Sequence, residues 1–121
     1  MKTKVVTVLS LLLLSIPLVL TAAVSSWYTI YGYVEDEVED PVIGASVIVT
    51  NDKFENPNGT LTDYQGTYIL GVNALYWNSQ VGRFCSNVHI SYIGYQPELI
   101  IVPLLHRTIN VEVQLTPDIL E

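Results

Sequence analysis

The chain has 121 residues, of which 50% are hydrophobic and 14% are charged, and its formal net charge at pH 7 is −7. This length suits one domain. The acidic balance opposes contact with phosphate backbones and anionic lipid headgroups, so we expect no nucleic-acid partner and membrane contact only through an uncleaved N-terminal segment.

The first 24 residues differ in composition from the rest. Lys2 and Lys4 precede an uncharged apolar stretch from Val5 to Val24, which contains a run of small residues that ends at Ala23. This layout predicts a secretory signal peptide over residues 1–23. An uncleaved membrane anchor is the alternative, because about 20 apolar residues can span a bilayer.

We therefore expect an exported protein, located in the periplasm, in the outer membrane or outside the cell. Cleavage after Ala23 would leave three cations against 12 carboxylates, a net charge of −9. Cys85 is the only cysteine, so sheet packing must hold the fold without disulfides. We interpret Cys85 as a small apolar filler, with a reactive thiol as the alternative.

The segment from Tyr28 to Val34 is dense in aromatic and β-branched residues and predicts a first strand. Five carboxylates follow within Glu35 to Asp40, and Pro41 cannot donate to a strand ladder. We interpret this acidic run as a solvated connection. A calcium site is the alternative, because carboxylate oxygens are the ligands that this cation prefers.

A second strand is predicted from Ala45 to Thr50, followed by a polar loop up to Asn58. The stretch from Gly59 to Leu70 then predicts a β-hairpin around which the other strands are arranged. Asp63 can cap its tight turn, and Gly66 can supply the positive φ at which the chain reverses.

The stretch from Gly71 to Asn87 shows neither strand alternation nor helical spacing, yet it carries several large apolar side chains. These are Leu75, Tyr76, Trp77 and Phe84. Such a connection either folds over the sandwich as a lid or is offered to a partner. It is the first candidate for a binding site.

Three further strands are predicted, from Val88 to Ile93, from Glu98 to Val102 and from Thr108 to Leu115. The last alternates most clearly, with its odd-numbered apolar residues on one face. No helical pattern is long enough to pack. The chain therefore predicts an all-β fold, a seven-stranded antiparallel β-sandwich.

Four motifs in this order resemble the carboxypeptidase-regulatory-like domain, and together they cover Tyr28 to Leu115. They are Ile30-x-Gly32-x-Val34-x-Asp36, Pro41-Val42-Ile43-Gly44-Ala45-x-Val47-x-Val49, Gly59-Thr60-x-Thr62-Asp63-x-x-Gly66-x-Tyr68-x-Leu70 and Ile90-Ser91-Tyr92-Ile93-Gly94-Tyr95. The resemblance implies a transthyretin-like (prealbumin-like) sandwich without catalytic residues over residues 27–116, followed by a tail at 117–121.

In TonB-dependent outer-membrane receptors such a domain precedes the plug and the barrel. The run from Val111 to Glu121 is similar to the end of the domain in those receptors, although no plug or barrel sequence follows here. The stretch from Gly71 to Asn87 is longer than the usual connection in the family, so a binding role there cannot be carried over from it.

No residue set in the chain indicates a reaction. A zinc peptidase needs a closely spaced His and Glu, and neither His89 nor His106 has one. No Gly-x-Ser-x-Gly elbow is present, and Cys85 has no recognisable partner. We therefore expect no enzyme activity and no catalytic, cofactor-binding or metal-binding residues.

Three functional hypotheses remain. The first is an exported interaction module that holds a protein or glycan partner at the cell surface. Its aromatic side chains either form binding platforms or pack in the sheets; they are Tyr28, Tyr31, Tyr33, Tyr76 and Trp77. The second is a detached N-terminal extension of a TonB-dependent receptor that acts with an outer-membrane β-barrel. The third is a structural spacer held by an uncleaved anchor.

Overall fold

The computed structural model of the protein describes residues 28–119. The predicted signal peptide lies outside the described residues. Nine strands occur in the described part, and no helix there is long and apolar enough to cross a membrane. The strands are β1 (Tyr28–Glu35), β2 (Ser46–Thr50), β3 (Asn58–Leu61), β4 (Thr67–Val72), β5 (Tyr76–Asn78), β6 (Arg83–Ser91), β7 (Glu98–Pro103), β8 (Thr108–Asn110) and β9 (Val113–Gln114).

The strands form two sheets. In the first sheet, β1 lies between β4 on one side and both β8 and β9 on the other. In the second sheet the order is β3-β2-β6-β5, and β7 pairs with the other edge of β6. The β-sandwich that the sequence predicts is confirmed at this level.

The core lies between the two sheets, and both contribute every second side chain to it. The first sheet gives Ile30, Val34, Tyr68, Leu70, Val72 and Val113, and the second gives Val47, Val49, Val88, Ile90 and Val102. The predicted strands at Tyr28 to Val34 and at Ala45 to Thr50 are therefore confirmed as β1 and β2. Tyr68 reaches across its own sheet, where its hydroxyl donates to the Val111 carbonyl at 2.6 Å.

The prediction of seven antiparallel strands is wrong in the number of strands and in the direction of the last one. The segment from Thr108 to Leu115 splits into β8 and β9, which both run parallel to β1. The break faces Gly32, where a Cβ atom would lie 1.9 Å from the Val111 carbonyl oxygen. The backbone at Val111 approaches β1 too closely for a regular ladder, and alternation in the sequence carries no information on strand direction.

The predicted hairpin from Gly59 to Leu70 is also wrong. β3 pairs with β2 in the second sheet, whereas β4 pairs with β1 in the first sheet. The connection therefore crosses between sheets. Its local chemistry is as predicted, since Gly66 has a φ of 77° and the Asp63 carboxylate accepts from the Gln65 and Thr67 amides at 2.9 and 3.0 Å.

Thr62 explains why the chain leaves the second sheet at this point. Its buried hydroxyl donates to the Val42 carbonyl at 2.6 Å and accepts from the Ala45 amide at 2.9 Å. These bonds tie the end of β3 to the segment before β2. A strand pattern followed by a turn fits a hairpin and an inter-sheet crossing equally well, so the sequence alone could not separate them.

Candidate functional site

A projecting β-hairpin occupies one end of the sandwich. β5 pairs with the first three residues of β6, with Trp77 opposite Phe84 and Asn78 opposite Arg83. We name residues 75–84 the aromatic hairpin. The stretch predicted as an irregular connection is thus partly regular, and that prediction is wrong for β5 and for the beginning of β6.

Local hydrogen bonds define the tip of the aromatic hairpin. The Asn78 side-chain oxygen accepts from the amides of Gln80 and Val81 at 3.0 and 3.1 Å, and the Asn78 carbonyl accepts from the Gly82 amide at 2.7 Å. Gly82 has a φ of 76°, which glycine adopts without strain. The turn therefore forms from its own residues and needs no cover from the sandwich.

The aromatic hairpin exposes apolar side chains. Leu75, Trp77, Val81 and Phe84 are between 43% and 57% exposed. The Trp77 and Phe84 rings meet edge to face, with centroids 5.2 Å apart and planes at 78°. The structure supports the interpretation that this stretch faces outward and is not folded over the sandwich as a lid, because a lid would bury these side chains.

The base of the hairpin is buried and anchored. The Tyr76 hydroxyl donates to the Asn87 side-chain oxygen at 2.6 Å, and the Ser86 hydroxyl donates to the Ala74 carbonyl. Cys85 is fully buried, and desolvation raises the pKa of its thiol. Because a protonated buried thiol is a poor nucleophile, this burial supports the interpretation of Cys85 as an apolar filler.

Charges are segregated along the sandwich. We name the half that holds the end of β1 and the start of β2 the acidic end. It carries Glu35, Asp36, Glu37, Glu39, Asp40, Asp63, Glu98, Glu112 and Asp118. The opposite half holds the aromatic hairpin, the acids Asp52 and Glu55, and the three cations of the described residues, which are Lys53, Arg83 and Arg107.

Tyrosine hydroxyls at the acidic end respond to this negative charge. Desolvation, followed by the charges of Glu35 and Asp40, raises the pKa of Tyr33. Desolvation and Glu37, whose carboxylate accepts from the Tyr95 hydroxyl at 3.2 Å, raise the pKa of Tyr95. An eight-residue strand is roughly 25 Å long, about three Debye lengths at physiological salt. The composition argument against anionic partners therefore applies to the acidic end and not to the aromatic hairpin.

The five aromatic residues predicted as platforms do not meet at one surface. Tyr28 packs against the core, and Tyr31 and Tyr33 lie on the outer face of the first sheet. Tyr76 bonds Asn87, and only Trp77 belongs to the exposed ring pair. Sequence reasoning did not single out Val81, whose exposure follows from the turn that Asn78 and Gly82 form.

The two histidines lie in different surroundings. His89 Nε2 lies 2.8 Å from the Thr50 hydroxyl, and its ring lies 5.2 Å from that of Phe54. His106 is exposed beyond β7. Residues 28–119 contain no group of three or more His, Cys, Asp or Glu side chains placed to share a metal ion. In the acidic connection, Asp36 Oδ1 accepts from the Val38 and Asp40 amides.

The fold and its exposed hairpin define a small β-sandwich with an exposed apolar surface at one end. No protein-family model and no curated protein matches the chain. Among solved structures, wild-type catechol 1,2-dioxygenase from Acinetobacter radioresistens is similar with a TM-score of 0.56 and 17% identity, over 76% of this chain and 52% of that chain.

Two other solved structures have the same kind of likeness. The type II cohesin–X–dockerin complex from Acetivibrio cellulolyticus matches with a TM-score of 0.55 and 14% identity, over 74% of this chain and 58% of that chain. The Bacillus anthracis TIE protein matches with a TM-score of 0.51 and 18% identity, over 76% and 17%. The chain spans about half the length of the dioxygenase, and these likenesses show an all-β sandwich fold.

Proposed function

We propose that this protein is an exported, non-catalytic interaction module of the carboxypeptidase-regulatory-like type, which binds a partner protein through the aromatic hairpin. One observation carries the proposal, namely the exposed pair of Trp77 and Phe84 on a hairpin that projects from the sandwich. Exposed aromatic side chains beside an arginine are typical of residues that dominate binding energy at protein interfaces, and Arg83 lies directly before Phe84.

The structural neighbours support an interaction role. One of them is a complex of cohesin and dockerin modules, so β-sandwiches of this shape occur in protein assemblies. The four sequence motifs support membership of the carboxypeptidase-regulatory-like type. Localisation in the periplasm, in the outer membrane or outside the cell follows from the predicted signal peptide, as does the expectation that the partner is met in the cell envelope.

The test is a pull-down from envelope extracts with the purified chain and matched variants. Trp77→Ser and Phe84→Ser remove the ring pair, whereas Ile93→Ser removes an apolar side chain that is 89% exposed at the acidic end. We expect both hairpin variants to lose the partner and Ile93→Ser to retain it. Equal retention of the partner by all three variants would refute the hairpin as the contact surface. Binding of the chain to glycans on an array, with no protein captured, would mean that the partner is a glycan.

The second candidate function is a detached N-terminal extension of a TonB-dependent receptor. The similarity of the run from Val111 to Glu121 to the end of that domain favours it. In this case the module acts with an outer-membrane β-barrel supplied as a separate chain. The nucleotide sequence downstream of the gene tests it, since a plug-like continuation in another frame supports it and an unrelated neighbour behind a clean terminator removes it.

A further inference from the structure

The outer edge of β7 is an unprotected strand edge. The edges of β3 and β4 on the other side of the sandwich lie close together, and the Asn58 side-chain amide donates to the Gly71 carbonyl at 2.7 Å. In contrast, β7 pairs only with β6 within residues 28–119. Its four central residues are apolar and carry no charge. Natural edge strands usually carry a charged residue or a bulge, which prevents pairing with another strand.

The backbone groups on this edge can be assigned from the ladder. The Leu104 amide donates to the Phe84 carbonyl at 2.9 Å, which continues the β6 and β7 ladder. Hydrogen-bonded pairs alternate along an antiparallel ladder, so Ile100 and Val102 bond β6. The N–H and C=O groups of Leu99 and Ile101 point away from the sheet, and their side chains are 52% and 48% exposed.

We propose that β7 pairs antiparallel with β7 of a second copy of this chain and forms a two-fold symmetric dimer with a continuous sheet. Leu99 of each copy then lies opposite Ile101 of the other, and each such pair exchanges two N–H···O bonds. The two-fold axis passes beside Ile100. A register shifted toward Pro103 is less favourable, because proline has no N–H and the Pro103 carbonyl already accepts from the Leu105 amide at 3.1 Å.

Charge complementarity identifies a second copy as the occupant. β7 runs from Glu98 at the acidic end to Pro103 near the aromatic hairpin. An antiparallel pair therefore places the acidic end of one copy, with its nine carboxylates, beside the half of the other that holds three cations and two carboxylates. A parallel pair would bring the two carboxylate-rich halves together, at a cost in repulsion. The apolar, self-complementary sequence of β7 and this alignment of charges both favour the antiparallel dimer.

The test is sedimentation equilibrium on the purified full chain with charge-pair variants that fix the register. The variant L99K/I101E places opposite charges across the axis twice, whereas L99K/I101K places like charges there. We expect wild type and L99K/I101E to dimerise, and L99K/I101K to have a dissociation constant at least about tenfold higher than L99K/I101E. Leu61→Lys, on the same outer face but on β3, is the control and should dimerise like wild type.

A second measurement keeps the proposal testable if a charged variant folds poorly. Ile100→Cys places a thiol beside the axis in a non-hydrogen-bonded pair, where Cα atoms lie about 4.5 Å apart, so oxidation should give a disulfide-linked dimer. Leu61→Cys should not give one. A monomer at every concentration, a dimer insensitive to L99K/I101K, or equal crosslinking of both cysteine variants would overturn the proposal.

Discussion

The two ends of the sandwich differ in the side chains that they expose. At the acidic end, polar side chains bond the backbone in two connections: Asp36 and Asp63 cap exposed turns, and Thr62 bonds Val42 and Ala45 inside the protein. At the opposite end, Asn78 caps the turn of the aromatic hairpin in the same way, and the exposed Trp77 and Phe84 rings contact each other. Polar side chains thus hold turns at both ends, and the exposed ring pair lies at the hairpin end.

This difference teaches that exposure must be weighed against what a side chain stabilises. The dense charge of the acidic end left a calcium site open as an alternative in the sequence, yet two of its carboxylates, Asp36 and Asp63, cap turns. The aromatic hairpin looks like an irregular loop in the sequence, yet it presents the apolar surface. If this is correct, substitutions at the acidic end reduce stability and substitutions at the hairpin reduce binding.

The largest expected effect is at Gly66. In Gly66→Val a β-branched residue must adopt a φ of 77°, and its Cβ would lie 2.8 Å from the Val34 carbonyl oxygen. We expect a loss of about 3 kcal/mol or more in the free energy of unfolding, measured by urea denaturation. Gly82→Val at the hairpin is the control, because its φ is 76° but no atom lies within 4 Å of the added Cβ.

The free energy of unfolding of Gly82→Val should therefore fall only by the cost of backbone strain, about 1 to 2 kcal/mol. Equal losses at the two glycines would mean that the two ends are equally constrained. That result would contradict the comparison.

The next largest loss of stability is expected at Thr62. Thr62→Val keeps the shape of the side chain but leaves the buried Ala45 amide and Val42 carbonyl without this partner. We expect a loss of about 2 kcal/mol, measured by the same denaturation. Thr108→Val, at an exposed position of β8, is the matched control and should change stability by less than about 0.5 kcal/mol. A similar loss in both variants would show that the crossing does not depend on Thr62.

A smaller, pH-dependent effect is expected at Asp63. Hydrogen bonds from the Thr67 side chain and amide hold the pKa of the Asp63 carboxyl below its usual range. A carboxyl whose pKa is lower in the folded state stabilises the fold above its unfolded pKa, and this contribution is lost as the pH falls through the folded pKa.

Asp63→Asn should therefore melt at a lower temperature than wild type at pH 7, and the difference should shrink below about pH 4. Thermal melts between pH 7 and pH 2 measure this convergence, and taking the difference between the two proteins cancels the other carboxylates. A difference that stays constant with pH would show that the charge of Asp63 contributes nothing to the turn.

The smallest effect on stability is expected at the aromatic hairpin. Trp77→Ser removes one half-exposed ring, and we expect a loss of less than about 1 kcal/mol, because the ring is already 57% exposed. The melting temperature checks this directly. A large loss would mean that the hairpin supports the sandwich, and binding lost in the same variant could then reflect unfolding.

The sequence predicts most of the fold wherever the signal is local. Aromatic and β-branched residues identify β1 and β2 as strands, and Asp63 with Gly66 identifies a turn and its chemistry. Partner choice is not local: the same pattern fits β3 with β4 as a hairpin or as strands of different sheets, and Thr62 decides between these through residues 17 and 20 positions away. The split of the last strand depends on the approach of Val111 to Gly32, which no pattern displays.

The candidate site was predictable in position but not in shape. Large apolar residues in an otherwise irregular stretch indicate a contact surface, and Trp77 and Phe84 lie there. Their mutual contact requires the β5 register, which depends on the turn between Asn78 and Gly82. Charge segregation could not be predicted either, because the positions of the acidic residues along the chain do not show which end of the sandwich each will occupy.

The crossing at Thr62 to Gly66 has a consequence for how the chain acquires its structure. The first sheet is built from strands at both ends of the chain, so β1 obtains its neighbours β8 and β9 only after the other strands have been synthesised. Topologies dominated by such distant pairings fold slowly, on the scale of milliseconds to seconds. A growing polypeptide of this kind can complete its first sheet, and with it the two-layered sandwich, only when nearly its whole length has emerged.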